Sequence, residues 1–110
     1  MDIAFANNKL KKIANNNKKC RRKLGDLRCR KFQQRLDDLR ACDTLEDARY
    51  LPGHYHELKH EHKGQWACDL DQPYRLIFKP QEFPIPQNDD GQYLWSKIKA
   101  VKILEIKDYH

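Results

Sequence analysis

The chain has 110 residues, and its 22 lysine and arginine residues outnumber 16 aspartate and glutamate residues, for a formal net charge of +6. This length predicts a single domain over residues 1–110. Apolar runs of only a few residues exclude a membrane-spanning helix, which needs about 20 residues. Because an acidic start at Met1-Asp2 is followed by no apolar signal segment, we expect a cytoplasmic protein without a membrane partner.

The first half of the chain predicts one strand followed by helices. Residues 2–5 form a short strand in this interpretation, and Asn7 or Asn8 can cap the next helix by accepting a backbone N–H of its first turn. Three asparagines at 15–17 weaken that helix, which can stop, kink or continue toward Leu24. Apolar residues at spacings of three and four then predict an amphipathic helix, namely Cys29, Phe32, Leu36, Leu39 and Cys42. Together these segments predict a helical hairpin, which a capped turn at 44–47 follows before the chain stops at 51–53.

The second half of the chain has the two-residue period of strands. Residues 55–58, 66–70, 74–79 and 101–106 predict four strands, with a hairpin turn at 71–73 and a long loop at 80–99 that Tyr93, Leu94 and Trp95 can pin to the body. The last strand is apolar on both faces and is expected to be central. The element order predicts an α+β fold in which an antiparallel sheet carries the helical hairpin on one face and leaves the other face open.

A basic block lies in the predicted helices between residues 9 and 23, where there is no acidic residue. A block of this kind attracts polyanions, so we predict that its members contact RNA. A solvated helix face and a surface for an acidic partner protein are the alternatives. The block consists of Lys9, Lys11, Lys12, Lys18, Lys19, Arg21, Arg22 and Lys23.

The cysteines and histidines are the residue types that could ligate a metal ion. No C-x-x-C pair occurs, which disfavours a zinc ribbon or a thioredoxin-type site, and Cys29 and Cys42 fit core positions. His54 and His56 would share one face of a strand, but a catalytic zinc needs a third ligand and the sequence identifies none. We therefore predict no metal and no cofactor, and the histidines remain candidates for acid/base work, RNA contact or plain surface positions.

Several segments resemble one known family when they are taken in order. After the helical hairpin these are Leu-Pro-Gly at 51–53, His-Glu-Leu-Lys at 56–59, Lys-Gly-Gln-Trp at 63–66, Tyr-Arg-Leu-Ile-Phe at 74–78 and Asp-Tyr-His at 108–110. The set resembles the RelE/ParE superfamily of bacterial toxins, in the HigB killer-protein branch. The resemblance implies a RelE-like (microbial RNase-like) fold and the toxin of a type II toxin–antitoxin module. It also implies a ribosome-dependent mRNA endoribonuclease that inhibits translation and growth, with the ribosome, mRNA and a cognate helix-turn-helix (HigA-like) antitoxin as partners.

Metal-independent RNA cleavage needs a base for the 2′-OH proton, an acid for the leaving 5′-oxygen and cations for the phosphate. Histidine suits the first two roles and arginine the third. The positions that match the family are His56, Lys59, Arg75, Asp108, Tyr109 and His110.

The resemblance assigns a role to each matching position. It implies that His56 and His110 share the acid/base work and that Arg75 and Lys59 stabilise the phosphate. Asp108 would orient a ring or take the proton, and Tyr109 would stack on a base or donate a hydrogen bond. Purely structural roles stay open for each, such as an ion pair for Arg75 or a core position for Tyr109. Further RNA contacts are predicted at His54, His62 and Lys63.

Two other functions stay open at this point. One is a non-nuclease toxin of the ParE type, which inhibits gyrase, and the other is a nucleic-acid-binding or metal-binding module. The chain departs from relatives at His60-Glu61-His62, where a Gly-Asp-Arg-like run is common. Whether this copy is active, its cleavage specificity, its need for the ribosome, the role of loop 80–99 and the oligomeric state are not predicted.

Overall fold

A computed structural model describes residues 1–109 of the chain. Over these residues the helices are α1 Asn8–Asn15, α2 Asn17–Leu24, α3 Asp26–Ala41 and α4 Leu45–Ala48, and the strands are β1 Asp2–Phe5, β2 His56–Glu57, β3 Trp66–Asp69, β4 Tyr74–Pro80 and β5 Ala100–Asp108. Two 3-10 turns cover His60–His62 and Trp95–Lys97. The predicted α+β class is confirmed.

The five strands form one mixed sheet in the order β1-β5-β4-β3-β2. Strands β2 to β5 pair antiparallel, whereas β1 runs parallel to β5. The prediction of a wholly antiparallel sheet is therefore wrong. A short turn forces antiparallel pairing only on strands that are adjacent in the chain. β1 and β5 are separated by almost the whole chain, so no short turn fixes the direction of β1 relative to β5. The predicted central position of β5 is confirmed, since it lies between β1 and β4.

Asparagine and glycine residues mark the ends of the first three helices. Asn7 caps α1, because its side chain accepts the backbone N–H of Leu10 at 2.9 Å. Asn16 has an extended backbone that separates α1 from α2, and its side chain accepts from Lys19 N at 3.0 Å. Of the outcomes left open for the asparagines at 15–17, the chain adopts a break between two helices. Gly25, at φ +83°, then turns the chain into α3.

One hydrophobic core lies between the helices and a single face of the sheet. Phe32, Leu36 and Leu39 of α3 are fully buried with Trp66, Leu76, Phe78 and Ile103 of the strands. The predicted placement of helices on one face is thus confirmed. The predicted core positions of Cys29 and Cys42 are confirmed as well, and Cys20, Cys29, Cys42 and Cys68 are all free and buried. Burial raises the pKa of both the Cys20 and Cys68 thiols to about 12.

The long connection between β4 and β5 is anchored by aromatic rings. Trp95 is buried edge-on against Trp66, with ring centroids 5.5 Å apart, and Tyr93 lies 5.0 Å from Trp95. The predicted pinning by these residues is confirmed. Within residues 1–109, no helix combines the length and the apolar character needed to cross a bilayer.

Candidate active site

Polar side chains meet on the face of the sheet that points away from the helices. Directly paired residues of neighbouring antiparallel strands point to the same face. One such row is Asp69, Arg75 and Lys107, and the next is His56, Ala67, Ile77 and Glu105. Ala67 and Ile77 are buried outside the main core cluster. This helix-free face therefore has a small apolar floor with charged side chains beside it.

Two histidines stack at the start of this face. Tyr55 is buried in the core, so the residues on both sides of it point outward. The rings of His54 and His56 are stacked with centroids 4.2 Å apart and planes 21° from parallel. The prediction that both rings share one face is confirmed, although His54 precedes β2 and has a left-handed backbone at φ +56°.

The hydrogen bond within the pair fixes the tautomer of neutral His56. Its Nδ1 lies 2.7 Å from the backbone oxygen of His54. A carbonyl oxygen only accepts, so Nδ1 must carry the proton and donate. The lone pair of a neutral His56 is therefore on Nε2. An imidazole held in this way can accept a proton at a defined atom.

A set of backbone contacts holds the histidine turn against β3. Asp69 N donates to Gly53 O at 2.8 Å, and Arg35 Nε donates to Asp69 O at 2.7 Å. Gly53 has φ +118°, and a Cβ added there would lie 2.7 Å from Arg35 Cζ. The backbone angle favours glycine here, and a larger residue would also displace the Arg35 side chain. These contacts fix His54, the next residue, relative to the end of β3.

Asp69 joins the histidines to the arginine. Its Oδ2 lies 3.7 Å from His54 Nδ1, and its Oδ1 lies 3.6 Å from Arg75 Nε. Asp69 Oδ1 and Arg75 Nε are buried, and neither makes a hydrogen bond within the described part of the chain. Buried polar atoms are nearly always hydrogen-bonded, so this loosely held ion pair is an unusual feature of the cluster.

Tyr109 covers the other side of the arginine. The Arg75 guanidinium carbon lies 4.5 Å from the Tyr109 ring centroid, and Lys107 Nζ lies 5.5 Å from it. Both distances fit cation–π contacts. Tyr109 is 41% exposed, so it is not a core residue. Arg75 and Lys107 outweigh Asp69 by one positive charge, and the exposed ring offers a stacking surface next to them.

A bulge decides which of the C-terminal residues reach this face. Ile77 pairs with Glu105 and Phe78 with Ile103, which leaves Leu104 as an extra residue in β5. Beyond it, Asp108 pairs with Tyr74, whose side chain packs against the core. Strand alternation thus puts Asp108 on the helix-bearing face, which is the other side of the sheet from the Arg75 side chain. Tyr109 returns to the helix-free face. His110 lies outside the described residues.

Three other predicted site residues lie in or beside the first 3-10 turn. Lys59 is exposed before the first 3-10 turn. His62 Nε2 lies 3.8 Å from its neighbour Glu61, and Lys63 Nζ lies 5.4 Å from the Tyr93 ring in the long loop.

The basic block belongs to the helix layer rather than to the helix-free face. Four of its lysines, Lys9, Lys12, Lys19 and Lys23, surround Ile13 in a groove of about 270 Å³ between α1 and α2. An adjoining groove of about 370 Å³ is mainly apolar and reaches β5, with Leu10, Ile13, Leu24, Leu104 and Ile106 in its wall. The helices thus separate the basic block from the histidine cluster.

Over positions 1–109, no three His, Cys, Asp or Glu side chains converge in a way that could hold a metal ion. The cluster itself contains two imidazoles, one carboxylate and two cationic side chains.

Comparisons with known proteins identify no relative. No protein family, no curated protein and no solved structure matches the chain. The resemblance to RelE/ParE toxins consequently stays a prediction, and the case for any function depends on the geometry of the cluster.

Two members of the cluster, Asp69 and Lys107, were not predicted as site residues. A signal for Asp69 was present, because a hairpin turn at 71–73 sets residue 69 opposite Arg75. Lys107 lies opposite Arg75 from the other side, but its face depends on the bulge at Leu104, which the sequence pattern does not reveal.

Proposed function

We propose that this protein is a metal-independent endoribonuclease that cleaves mRNA, and that it is the toxin of a type II toxin–antitoxin module acting at the ribosome in the cytoplasm. The observation that carries the proposal is the position of Asp69, which lies within 4 Å of both His54 and Arg75. A stacked imidazole pair and a guanidinium thereby share one exposed face. These are the groups that phosphodiester cleavage by the neighbouring 2′-OH requires.

Each group has a role in the proposed reaction. His56 accepts the 2′-OH proton at Nε2, the ring nitrogen that its tautomer leaves unprotonated. Arg75 has four N–H groups on its terminal nitrogens besides Nε, and this fork suits two phosphate oxygens. Tyr109 presents an exposed ring on which a nucleobase can stack. Lys107 adds positive charge next to that ring.

The proposal is tested by induced expression, with growth and mRNA 5′-end mapping as the readouts. Wild type should arrest growth and produce new 5′ ends within coding regions, and Arg75→Ala should abolish both effects. Arg30→Ala is the matched control, because it removes an exposed arginine of α3 in the helix layer. Growth arrest that survives in Arg75→Ala, or arrest by wild type without new 5′ ends, would contradict the nuclease and favour a gyrase-type toxin.

The proposed antitoxin has a candidate docking groove in the helix layer. Its wall is mainly apolar, and Lys9, Lys23 and Glu105 line it as well. Two lysines against one carboxylate leave the groove with a net positive charge, which fits a partner segment that is both apolar and acidic. The histidine pair, Asp69 and Arg75 are not among its lining residues.

Co-purification with the product of the adjacent reading frame tests the partner. We expect a stable complex that is lost in the double variant Lys9→Glu/Lys23→Glu. Lys97→Glu is the control, since it reverses the charge of an exposed lysine outside the groove. Recovery of only free wild-type monomer after co-expression would count against an antitoxin partner.

A further inference from the structure

We infer that His54 is a second catalytic histidine, the general acid that protonates the leaving 5′-oxygen, and that Asp69 is its positioning residue. This inference rests on the proposed function and assigns a step that the sequence left to His56 and His110. His54 itself was predicted only as an RNA contact.

The spacing of the two rings suits the two oxygens that react. In phosphoryl transfer the attacking and leaving oxygens lie roughly in line on opposite sides of phosphorus. They are separated by only two phosphorus–oxygen bonds, so the base and the acid must be near neighbours. The His54 and His56 rings are near-parallel with centroids 4.2 Å apart. Side-by-side imidazoles at this separation can address two such oxygens at once.

Each ring has a different partner at Nδ1. His56 donates from Nδ1 to a backbone oxygen at 2.7 Å, a contact that leaves Nε2 of the neutral ring as an acceptor. His54 instead has its Nδ1 3.7 Å from the Asp69 carboxylate, so its Nε2 does not face Asp69. The two rings are thus held by different groups, and each keeps Nε2 for the substrate.

The scaffold specifies the position of His54. The residue has a left-handed backbone at φ +56°, which is uncommon for a residue that is not glycine. It follows Gly53, which is hydrogen-bonded to Asp69, while Arg35 holds the Asp69 carbonyl. These contacts hold the His54 backbone beside Asp69.

The proposed step moves one proton to His56 and another from His54. The 2′-oxygen forms a bond to phosphorus as its proton moves to His56 Nε2. The bond from phosphorus to the 5′-oxygen breaks, and that oxygen takes the proton from His54 Nε2, the nitrogen that does not face Asp69. The products are a 2′,3′-cyclic phosphate and a 5′-hydroxyl, and one proton has passed from His54 to the leaving group while another has been gained by His56.

A substrate with sulfur in place of the leaving 5′-oxygen distinguishes the role of the general acid from that of the general base. The probe is an mRNA whose 5′-oxygen at one mapped cleavage position is replaced by sulfur, presented free and on purified ribosomes. A thiolate leaves without protonation, so such a linkage does not need a general acid. Loss of general acid catalysis should slow cleavage of the ordinary RNA by about 10²–10⁴-fold.

We expect His54→Asn to lose cleavage of ordinary RNA by that factor and to recover most of it on the sulfur-bridged RNA. His56→Ala should stay impaired on both substrates, and Asp69→Asn should show a smaller loss that sulfur also relieves. His60→Asn is the matched control and should cleave both like wild type, because His60 is an exposed histidine with a similar left-handed backbone at φ +58°.

The possible failures are distinguishable. If wild type cleaves but His54→Asn keeps the wild-type rate, or its loss is not relieved by sulfur, the assignment of His54 is overturned and the nuclease stands. If wild type cleaves neither RNA, free or on ribosomes, the proposed function is overturned together with the inference.

Discussion

The two faces of the sheet use the same strands for different purposes. On the helix-bearing face, Trp66 pairs with Phe78 and Cys68 with Leu76, and all four side chains are fully buried. One residue along, on the helix-free face, Asp69 pairs with Arg75 and two buried polar atoms make no hydrogen bond among the described residues. The core face also has a buried polar atom that makes no hydrogen bond among the described residues, Trp66 Nε1, but it carries no charge, whereas the other face holds a charged pair in loose contact. Apolar packing and charge thus occupy alternate residues of β3 and β4.

The largest loss of stability is expected for a substitution at Leu76, on the helix-bearing face. Replacing this fully buried side chain by alanine removes apolar contacts and leaves a cavity, so Leu76→Ala should lower the free energy of unfolding by about 2–5 kcal/mol. Urea denaturation followed by circular dichroism measures the loss. Lys79→Ala, at an exposed position of the same strand, should change stability by less than about 0.5 kcal/mol. Similar losses in the two variants would contradict the division between faces.

At the adjacent residue, Arg75, a substitution should lower the cleavage rate strongly and the free energy of unfolding only slightly. Arg75→Lys keeps the charge but loses the planar fork that fits two phosphate oxygens. We expect RNA cleavage to fall by about 10²–10³-fold, with a smaller stability loss than that of Leu76→Ala. Single-turnover cleavage of a mapped RNA measures the first quantity, and Arg30→Lys is the control. An unchanged cleavage rate would remove Arg75 from the phosphate-binding role.

Gly53 contacts Arg35 of α3 and is hydrogen-bonded to Asp69 on the helix-free face. Its substitution should therefore lower both the free energy of unfolding and the cleavage rate. Alanine at φ +118° is strained, and its Cβ would approach the Arg35 side chain to 2.7 Å. Gly53→Ala should cost about 1–3 kcal/mol and also lower cleavage, because it displaces His54. Gly91→Ala isolates the strain, since Gly91 has φ +80° with the nearest atom 3.9 Å away. If the two variants cleave RNA equally well, the support of His54 by Gly53 is refuted.

The smallest effect is expected at the cap of α1. Asn7→Ala removes the acceptor of the Leu10 N–H, so it should cost about 1 kcal/mol and leave cleavage unchanged. Thermal unfolding measures the cost. Asn8→Ala, which changes the first residue of the helix rather than its cap, is the comparison. Equal stability of both variants would show that the hydrogen bond from Leu10 to Asn7 contributes nothing to stability.

Local signals made much of the fold predictable. Asn7, Asn16 and Gly25 mark helix ends through interactions with residues three or four positions away, and the apolar spacing of α3 identifies its buried side. The direction of β1 was not predictable in this way, because it pairs with a strand almost 100 residues later in the chain. Pairing between distant segments depends on the whole path between them.

The candidate site was predictable only in part, for a related reason. Arg75 and His56 were identified by residue type and resemblance, and a hairpin register would have added Asp69. The face of the C-terminal residues depends on the bulge at Leu104, because one extra residue exchanges the sides of all residues beyond it. This is why Tyr109, rather than Asp108, comes to lie over Arg75. The stacking of His54 required a left-handed turn that its residue type did not indicate.

The four buried cysteines make the protein its own reporter of unfolding. At neutral pH the Cys20 and Cys68 thiols, with pKa values raised to about 12 by burial, present almost no thiolate, which is the species that alkylating dyes attack. The native molecule should therefore stain slowly, and staining should accelerate in step with transient opening of the core. A library of variants could be ranked for foldedness by fluorescence, without attaching any label in advance.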